Sequence, residues 1–383
     1  MFELVFTLFL YSGLLKQLAG ASGLEMPDVT VLFAAASLLL LFRSFTPNIF
    51  YRFKASWAPL LFFYFWILFS LIYSASESYS YFKAFAFLSC LLGFFLPIFY
   101  KKFDFDAFFK SFLIVGSIVG LYTVSILPTL LRAGADSEIY RSVYLSMGYL
   151  CALNALVSLY LATPGRYFYA VSAMVGFVVM AFLAGARGPL LFSCLLILAA
   201  LFFSTEKRRN HYRLIGYLLP VVLGLVVFGG TLVATNDDFA FMVERSLDRL
   251  FMLAEEEGLD SRLVVFEFSI NHIFSSLQVF FIGDGIGSFG LRHLNEDVRD
   301  YPHNLLLEVW FELGLVGLIA ISLFLYKTGR NIFMSAGYLH VSIGIYVILN
   351  AFKSASLVDA RVMYAFLALG LISCARRIQR RAD

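Results

Sequence analysis

Charge is scarce in this sequence. Only 14% of its 383 residues are charged, whereas soluble domains average about 25%. Hydrophobic residues make up 61% of the chain, and the mean hydropathy is +0.83. Apolar runs of about 18 or more residues, each long enough to cross a hydrocarbon core of roughly 30 Å, recur along nearly the whole length. This balance excludes a soluble globular domain, and we predict an all-α integral membrane protein.

Patterns that bind metals or form disulfides are also missing. The chain has four cysteines, all inside apolar runs and without disulfide or Cys-x-x-Cys spacing: Cys90, Cys151, Cys194 and Cys374. We interpret them as small apolar packing residues. The loops predicted to be external hold no Asp-x-Asp cluster, so we expect no metal and no cofactor. The first apolar run, Phe2–Leu15, follows no basic segment, which favours a membrane span over a cleavable signal peptide.

What the sequence does contain is a series of apolar segments. We predict about twelve transmembrane helices, near 2–18, 29–45, 57–75, 81–100, 108–128, 143–162, 167–184, 188–204, 214–234, 304–325, 333–350 and 358–375. The predicted organisation is a nine-helix region over 1–234, a polar loop domain over 235–303, and three C-terminal spans with a basic tail over 304–383.

Lys and Arg residues predict the orientation of these spans. If the basic segment 376–381 is cytoplasmic, alternate loops rich in Lys and Arg lie on the same side. The segment 235–301 is then external, and it is predicted to hold amphipathic helices along the membrane surface. Ten basic residues remain outside, and nine are arginines: Arg132, Arg141, Arg187, Arg245, Arg249, Arg262, Arg292, Arg299, Lys353 and Arg361. Arginine binds phosphate bidentately, so the set indicates an external anion site. Pairing with nearby acids is the alternative.

The segment Pro302-His303-Asn304 is the most distinctive motif. It stands where the polar loop ends, and Pro302 favours the start of a helix. Asn304, Glu308 and Glu312 then recur every four residues, which places an amide and two carboxylates on one helix face. Polar groups at the head of a membrane helix usually face a protein interior or a wet cavity. We therefore predict a functional site at His303.

Two glycine-containing segments add to this prediction. Arg187 lies in the short loop 183–189, where flanking glycines let other groups approach its guanidinium. The run 283–287, Gly-Asp-Gly-Ile-Gly, has the form of a loop whose backbone amides approach a phosphate, with Gly285 and Gly287 as candidate ligands. A tight turn that needs positive φ is the alternative for this run.

At these residues the chain resembles the O-antigen ligase family. The matching segments are Ala186-Arg187-Gly188, Ser261-Arg262-Leu263 at the opening of a loop helix, the glycine run, Pro302-His303-Asn304, and Glu308, Glu312 and Gly314. The twelve-span layout with a long loop after the ninth span is similar as well.

The resemblance implies a GT-C-like glycosyltransferase of the bacterial inner membrane, with its active site facing the periplasm. Such an enzyme transfers a glycan from undecaprenyl diphosphate to a sugar hydroxyl of lipid A–core, without a metal. His303 would be the essential histidine, and Arg187 and Arg262 would hold the diphosphate. Arg141, Asn304, Glu308, Gly285 and Gly287 are further candidate substrate ligands. The expected partners are this donor, this acceptor and membrane lipids, and no nucleic acid.

Three other functions remain open. An O-antigen polymerase uses the same donor, but some polymerases carry periplasmic Arg-x10-Gly repeats, which this chain lacks. A transporter of lipid-linked glycans would favour internal repeats and charges near the membrane midplane. A purely structural membrane scaffold would leave the placement of the histidine and the arginines unexplained.

Overall fold

A computed structural model describes residues 1–24, 27–134, 138–161, 167–182, 187–203 and 257–382, with ten single positions between 227 and 244. These parts of the chain are helical: α1 (Phe2–Ala21), α2 (Val29–Phe42), α3 (Asn48–Arg52), α4 (Lys54–Ser70), α5 (Tyr79–Phe99), α6 (Phe105–Gly134), α7 (Glu138–Leu161), α8 (Tyr167–Phe182), α9 (Arg187–Phe203), α10 (Glu257–Ile273), α11 (Leu277–Ile282), α12 (Ser288–Leu294), α13 (Leu305–Ser335), α14 (Tyr338–Ser354) and α15 (Arg361–Ala382). A short 3₁₀ turn, Leu357–Asp359, precedes α15.

Six of these helices are long and apolar enough to cross a membrane: Phe2–Ala21, Tyr79–Phe99, Phe105–Ile126, Val143–Leu161, Leu305–Ser335 and Arg361–Arg380. Three shorter apolar helices accompany them: Val29–Phe42, Lys54–Ser70 and Gly188–Ala199. The helical class is confirmed for the described residues, and the length and composition of these helices are consistent with a multi-pass membrane protein. Each predicted span that falls on them coincides with a helix, whereas the span at 214–234 lies mostly outside them. The count of twelve spans and the three predicted regions stay predictions.

The chain forms two compact units. The first comprises residues 1–39 and 103–255. An aromatic cluster at the start of α1 packs Phe2 and Phe6 against Phe103, with ring centroids 6.3 and 6.4 Å apart. Deeper in this unit, the amide of Asn154 donates to the Tyr11 hydroxyl at 3.1 Å. These contacts join α1 to α6 and α7 and build the apolar core of the unit.

The second unit comprises residues 40–102 and 256–383, and α13 is the helix to which its site belongs. This helix has a kink at Gly314, where φ is +66°. A side chain there would clash, because a Cβ would lie 2.4 Å from the backbone nitrogen of Ile282. Glycine is the residue that adopts such a φ at no steric cost. The Gly314 of the sequence motif is therefore the kink residue.

The kink leaves backbone carbonyls that other segments satisfy. The carbonyl of Phe311 accepts from the backbone N–H of Asp284 at 3.1 Å, and that of Glu312 accepts from Gly285 at 2.8 Å. The indole of Trp66 donates to the carbonyl of Leu313 at 2.9 Å. Buried backbone carbonyls without partners are costly. These three bonds therefore attach the glycine run and α4 firmly to the kink.

One loop helix starts earlier than its motif predicts. The segment Ser261-Arg262-Leu263 predicts a helix that opens at Arg262, but α10 begins at Glu257. Arg262 consequently lies in the second turn of the helix. Gly258 lies inside this helix, where packing outweighs its low helix propensity.

Candidate functional site

The His303 imidazole is presented by a strained turn at the head of α13. His303 has φ +53°, one of two positive values among the described non-glycine residues. Histidine is enriched in this region of backbone space compared with most residues, but the conformation still costs free energy. Asn304 follows as the N-cap, and its side chain accepts from the backbone N–H of Leu307 at 3.0 Å. The cap thus fixes the helix start immediately after the histidine.

Aromatic and basic groups surround the imidazole. The Tyr301 ring packs edge-on at 4.5 Å between centroids. Partial burial and then the positive charge of Arg262 lower the pKa of His303. The neutral imidazole is therefore favoured at neutral pH, and this is the form that accepts a proton. Because His303 and Arg262 are both exposed, the pair is accessible to a substrate.

Below the histidine, α13 contributes two carboxylates to a buried ionic triad. The ammonium of Lys83 on α5 lies 2.6 Å from an oxygen of Glu308 and 2.7 Å from an oxygen of Glu312. All three side chains are at most 1% exposed. Glu308 also accepts from the Ser356 hydroxyl at 2.9 Å and from the backbone N–H of Leu357 at 2.8 Å. We call Lys83, Glu308 and Glu312 the buried triad.

The two carboxylates differ in how fully they are satisfied. Both oxygens of Glu308 have partners, whereas Oε2 of Glu312 is buried without a partner in the described part of the chain. Glu308 is fully buried, so its predicted contact with a substrate is not visible in this conformation. Its bonds join the head of α13 to the turn Leu357–Asp359. The geometry favours a positioning role for Glu308.

A half-exposed ion pair joins this turn to the segment that precedes His303. Asp359 contacts the guanidinium of Arg299 at 2.5 Å. The Cζ atom of Arg299 lies 5.8 Å from the centroid of the Tyr301 ring, which packs on His303. Asp297, two residues earlier, accepts from the Ser76 hydroxyl at 2.6 Å and from the Ser78 backbone at 2.8 Å. The segment before His303 is thus anchored at both ends.

The glycine run forms a tight turn. Gly283, Gly285 and Gly287 all have positive φ. A Cβ at Gly285 would lie 2.2 Å from Cα of Ser74, so the close approach also requires glycine. The backbone N–H of Ile286 donates to the Ser70 hydroxyl at 3.2 Å. Turn geometry accounts for these glycines, and phosphate contact by Gly285 and Gly287 stays a prediction.

Two further histidines have carboxylate partners that the sequence does not indicate. His272 approaches Asp284 at 3.3 Å, and His293 approaches Asp300 at 2.7 Å. Although burial opposes ionisation, the contacts with His272 and Arg292 lower the pKa of Asp284 to about 2. His272 stacks on Phe311 at 4.5 Å. These pairs tie the loop helices to α13 and have a structural role.

The side chains of two remaining candidates lie outside the part of the chain that the structure describes. Arg187 is the first residue of α9 and Arg141 lies in α7, but their side chains are not among the described parts. Their predicted contact with a diphosphate therefore stays a prediction. Among the residues that the structure describes, no three metal-ligating side chains are grouped to hold an ion. Metal independence likewise stays a prediction.

Comparison with known proteins supports the resemblance stated above. The model of a family described as O-antigen ligase matches residues 172–322. This match includes Arg187, Arg262, the glycine run, His303 and the kink at Gly314. No curated protein matches the chain.

Proposed function

We propose, from the premise that this chain carries an O-antigen ligase family domain over residues 172–322, that it transfers a glycan from undecaprenyl diphosphate to a sugar hydroxyl of lipid A–core. The reaction would take place at the periplasmic face of the bacterial inner membrane. The observation that supports this proposal best is the exposed His303, held neutral beside Arg262 at the head of a membrane helix.

The proposed chemistry is a single displacement. The acceptor hydroxyl oxygen forms a bond to the anomeric carbon of the donor sugar while the bond from that carbon to the diphosphate oxygen breaks. The diphosphate leaves with the bonding electron pair, and His303 accepts the hydroxyl proton. A neutral imidazole suits this role as a base. The guanidinium of Arg262, and that of Arg187 as predicted from the motif, would stabilise the charge on the leaving diphosphate.

The other predicted ligands have different proposed roles. Asn304 caps α13 and thereby holds His303 in place, so we propose that it acts through the histidine. Glu308 supports the same helix from within the buried triad. Arg141, Gly285 and Gly287 remain proposed ligands of the donor head group. The polyprenyl tail would lie against the apolar surfaces of the spans.

Substitution of His303 tests the proposal directly. His303→Gln removes the base, and transfer from lipid-linked donor to lipid A–core should fall by roughly 10²–10⁴-fold. His340→Gln, on α14, is the matched control and should retain wild-type transfer. Donor binding by His303→Gln should survive, because the arginines bind the diphosphate. Near-normal transfer by His303→Gln would show that His303 only shapes the turn.

Deletion of the gene distinguishes a ligase from a polymerase. Lipopolysaccharide from the deletion strain is separated on gels, and lipid-linked glycans are extracted in parallel. A ligase is indicated by loss of all polymer from the core together with accumulation of lipid-linked polymer. A core that bears a single repeat unit indicates a polymerase instead.

A further inference from the structure

Arg299 is an accessible cation close to the proposed base. Its side chain is 49% exposed, and Asp359 fixes it from one side. The Tyr301 ring lies between this guanidinium and the His303 ring, 5.8 Å from the first and 4.5 Å from the second. The positive charge of Arg299 also acts on His303, in the same sense as that of Arg262. The Tyr301 ring therefore connects the guanidinium of Arg299 to the imidazole of His303.

The position of this guanidinium is determined by contacts that anchor both its aspartate partner and its own segment. Asp359 belongs to the turn whose Leu357 N–H is held by Glu308. Asp297 binds the segment that contains Arg299 to Ser76 and Ser78 at the start of α5. The contact with Asp359 is made through Nη2, whereas a guanidinium has five N–H donors arranged in a planar fork. An arginine held in this way can bind an anion with little further loss of side-chain freedom.

We propose that Arg299 is a further ligand of the diphosphate of the lipid-linked donor, acting with Arg262 close to His303. Asp359 is its positioning residue. This inference rests on the proposed function, because it assumes a diphosphate leaving group beside His303. An oriented guanidinium would stabilise the leaving diphosphate as it gains negative charge.

The pair formed by Arg292 and Asp284 provides a matched control within the same unit. The side chain of Arg292 is 45% exposed, close to the value for Arg299, and it also contacts an aspartate. Its aspartate, however, contacts His272 and not His303. Lysine conserves the charge at an exposed position such as that of Arg292, and an ion pair with an exposed partner contributes little. Arg292→Lys should therefore leave transfer unchanged.

The experiment compares Arg299→Lys and Arg299→Gln with Arg292→Lys in detergent-purified protein. Transfer from the lipid-linked donor gives kcat/KM, and inorganic pyrophosphate serves as a competitive probe of the anion site. Both Arg299 variants should lower kcat/KM by about tenfold or more and raise the inhibition constant of pyrophosphate. Asp359→Asn should lower kcat/KM in the wild-type background but add little to Arg299→Gln, as expected for residues that act as one unit. The thermal midpoint of each variant reports whether it is folded.

Two results would overturn the inference in different ways. If Arg299 variants are folded and retain wild-type kcat/KM and pyrophosphate inhibition while His303→Gln is inactive, Arg299 only forms a salt bridge, and the proposed function stands. If the wild-type protein does not transfer from the lipid-linked donor, the proposed function fails and the inference fails with it.

Discussion

Replacing Lys83 with methionine tests whether the buried triad depends on charge. Methionine retains most of the length of the side chain but removes the ammonium. Glu308 and Glu312 would then lie close together without a cation, since both contact the same nitrogen, at 2.6 and 2.7 Å. Neither carboxylate reaches solvent. The variant therefore leaves two buried acids with no charge partner.

The expected magnitude follows from burial. Removing one partner of a buried ion pair typically costs roughly 3–5 kcal/mol, because an uncompensated charge is left behind. Lys110 and Asp106 provide a control with the same 2.6 Å separation but side chains that are 53% and 55% exposed. A solvent-exposed pair at this helical spacing contributes about 0.3–0.5 kcal/mol. Lys83→Met should thus destabilise the protein several times more than Lys110→Met.

The free energy of unfolding can be measured by titrating a denaturing detergent into mixed micelles. A third variant, Lys83→Met/Glu308→Gln/Glu312→Leu, removes all three charges and should recover much of the lost stability, since neutral replacements of a buried ion pair are often tolerated. Equal stability of Lys83→Met and Lys110→Met would refute the reasoning. So would a triple variant that is less stable than Lys83→Met, because the carboxylates would then stabilise the fold without their cation.

Three further predictions concern the chemistry. Arg187→Lys and Arg262→Lys should each lower turnover by roughly tenfold, about 1.4 kcal/mol, because lysine lacks the planar fork of N–H donors. Arg245→Lys and Arg292→Lys are the controls and should have wild-type turnover. Equal turnover of all four variants would show that Arg187 and Arg262 do not bind the diphosphate. The pKa of His303 is lowered, so its neutral form persists to lower pH, and the acid limb of kcat/KM should lie below the ordinary histidine value of about 6.5. Arg262→Gln removes a cation that disfavours the imidazolium and should move that limb to higher pH; a limb that does not move would contradict this assignment. EDTA should leave transfer nearly unchanged, and a loss restored by Mg²⁺ would refute the metal-free mechanism.

Local patterns in the sequence were sufficient to predict the helices and the position of the candidate base. Long apolar runs predict helices because backbone groups in a membrane must bond within their own segment. The polar-to-apolar junction at Pro302 likewise predicts a helix start, and Asn304 is the observed N-cap. The start of α10 was wrong by several residues, since local stop and cap signals are weaker than packing. The positive φ of His303 was not predicted, because no simple residue pattern requires it.

Contacts between distant segments could not be predicted in the same way. Lys83 lies within an apolar run and is 229 residues from Glu312, so no periodicity connects them. The glycine run suggested a phosphate loop, whereas the N–H groups of Asp284 and Gly285 bond to carbonyls freed at the kink of α13. That pairing depends on Gly314 and on the run together. Only the folded chain shows that these two glycine motifs are parts of one structural unit.

Arg299 illustrates how the fold gives one arginine a role that composition cannot assign. In the sequence it is one of nine arginines predicted to be external, and it has no motif of its own. In the structure, Asp359 holds it, Glu308 holds the turn that contains Asp359, and Lys83 neutralises Glu308. Burying charges in a membrane helix is expensive, so an ionic triad is retained only where it has a compensating use. Here the triad fixes both the helix that begins after His303 and the turn that orients Arg299. The proposed base and the proposed further diphosphate ligand, Arg299, are thereby positioned by the same buried charges.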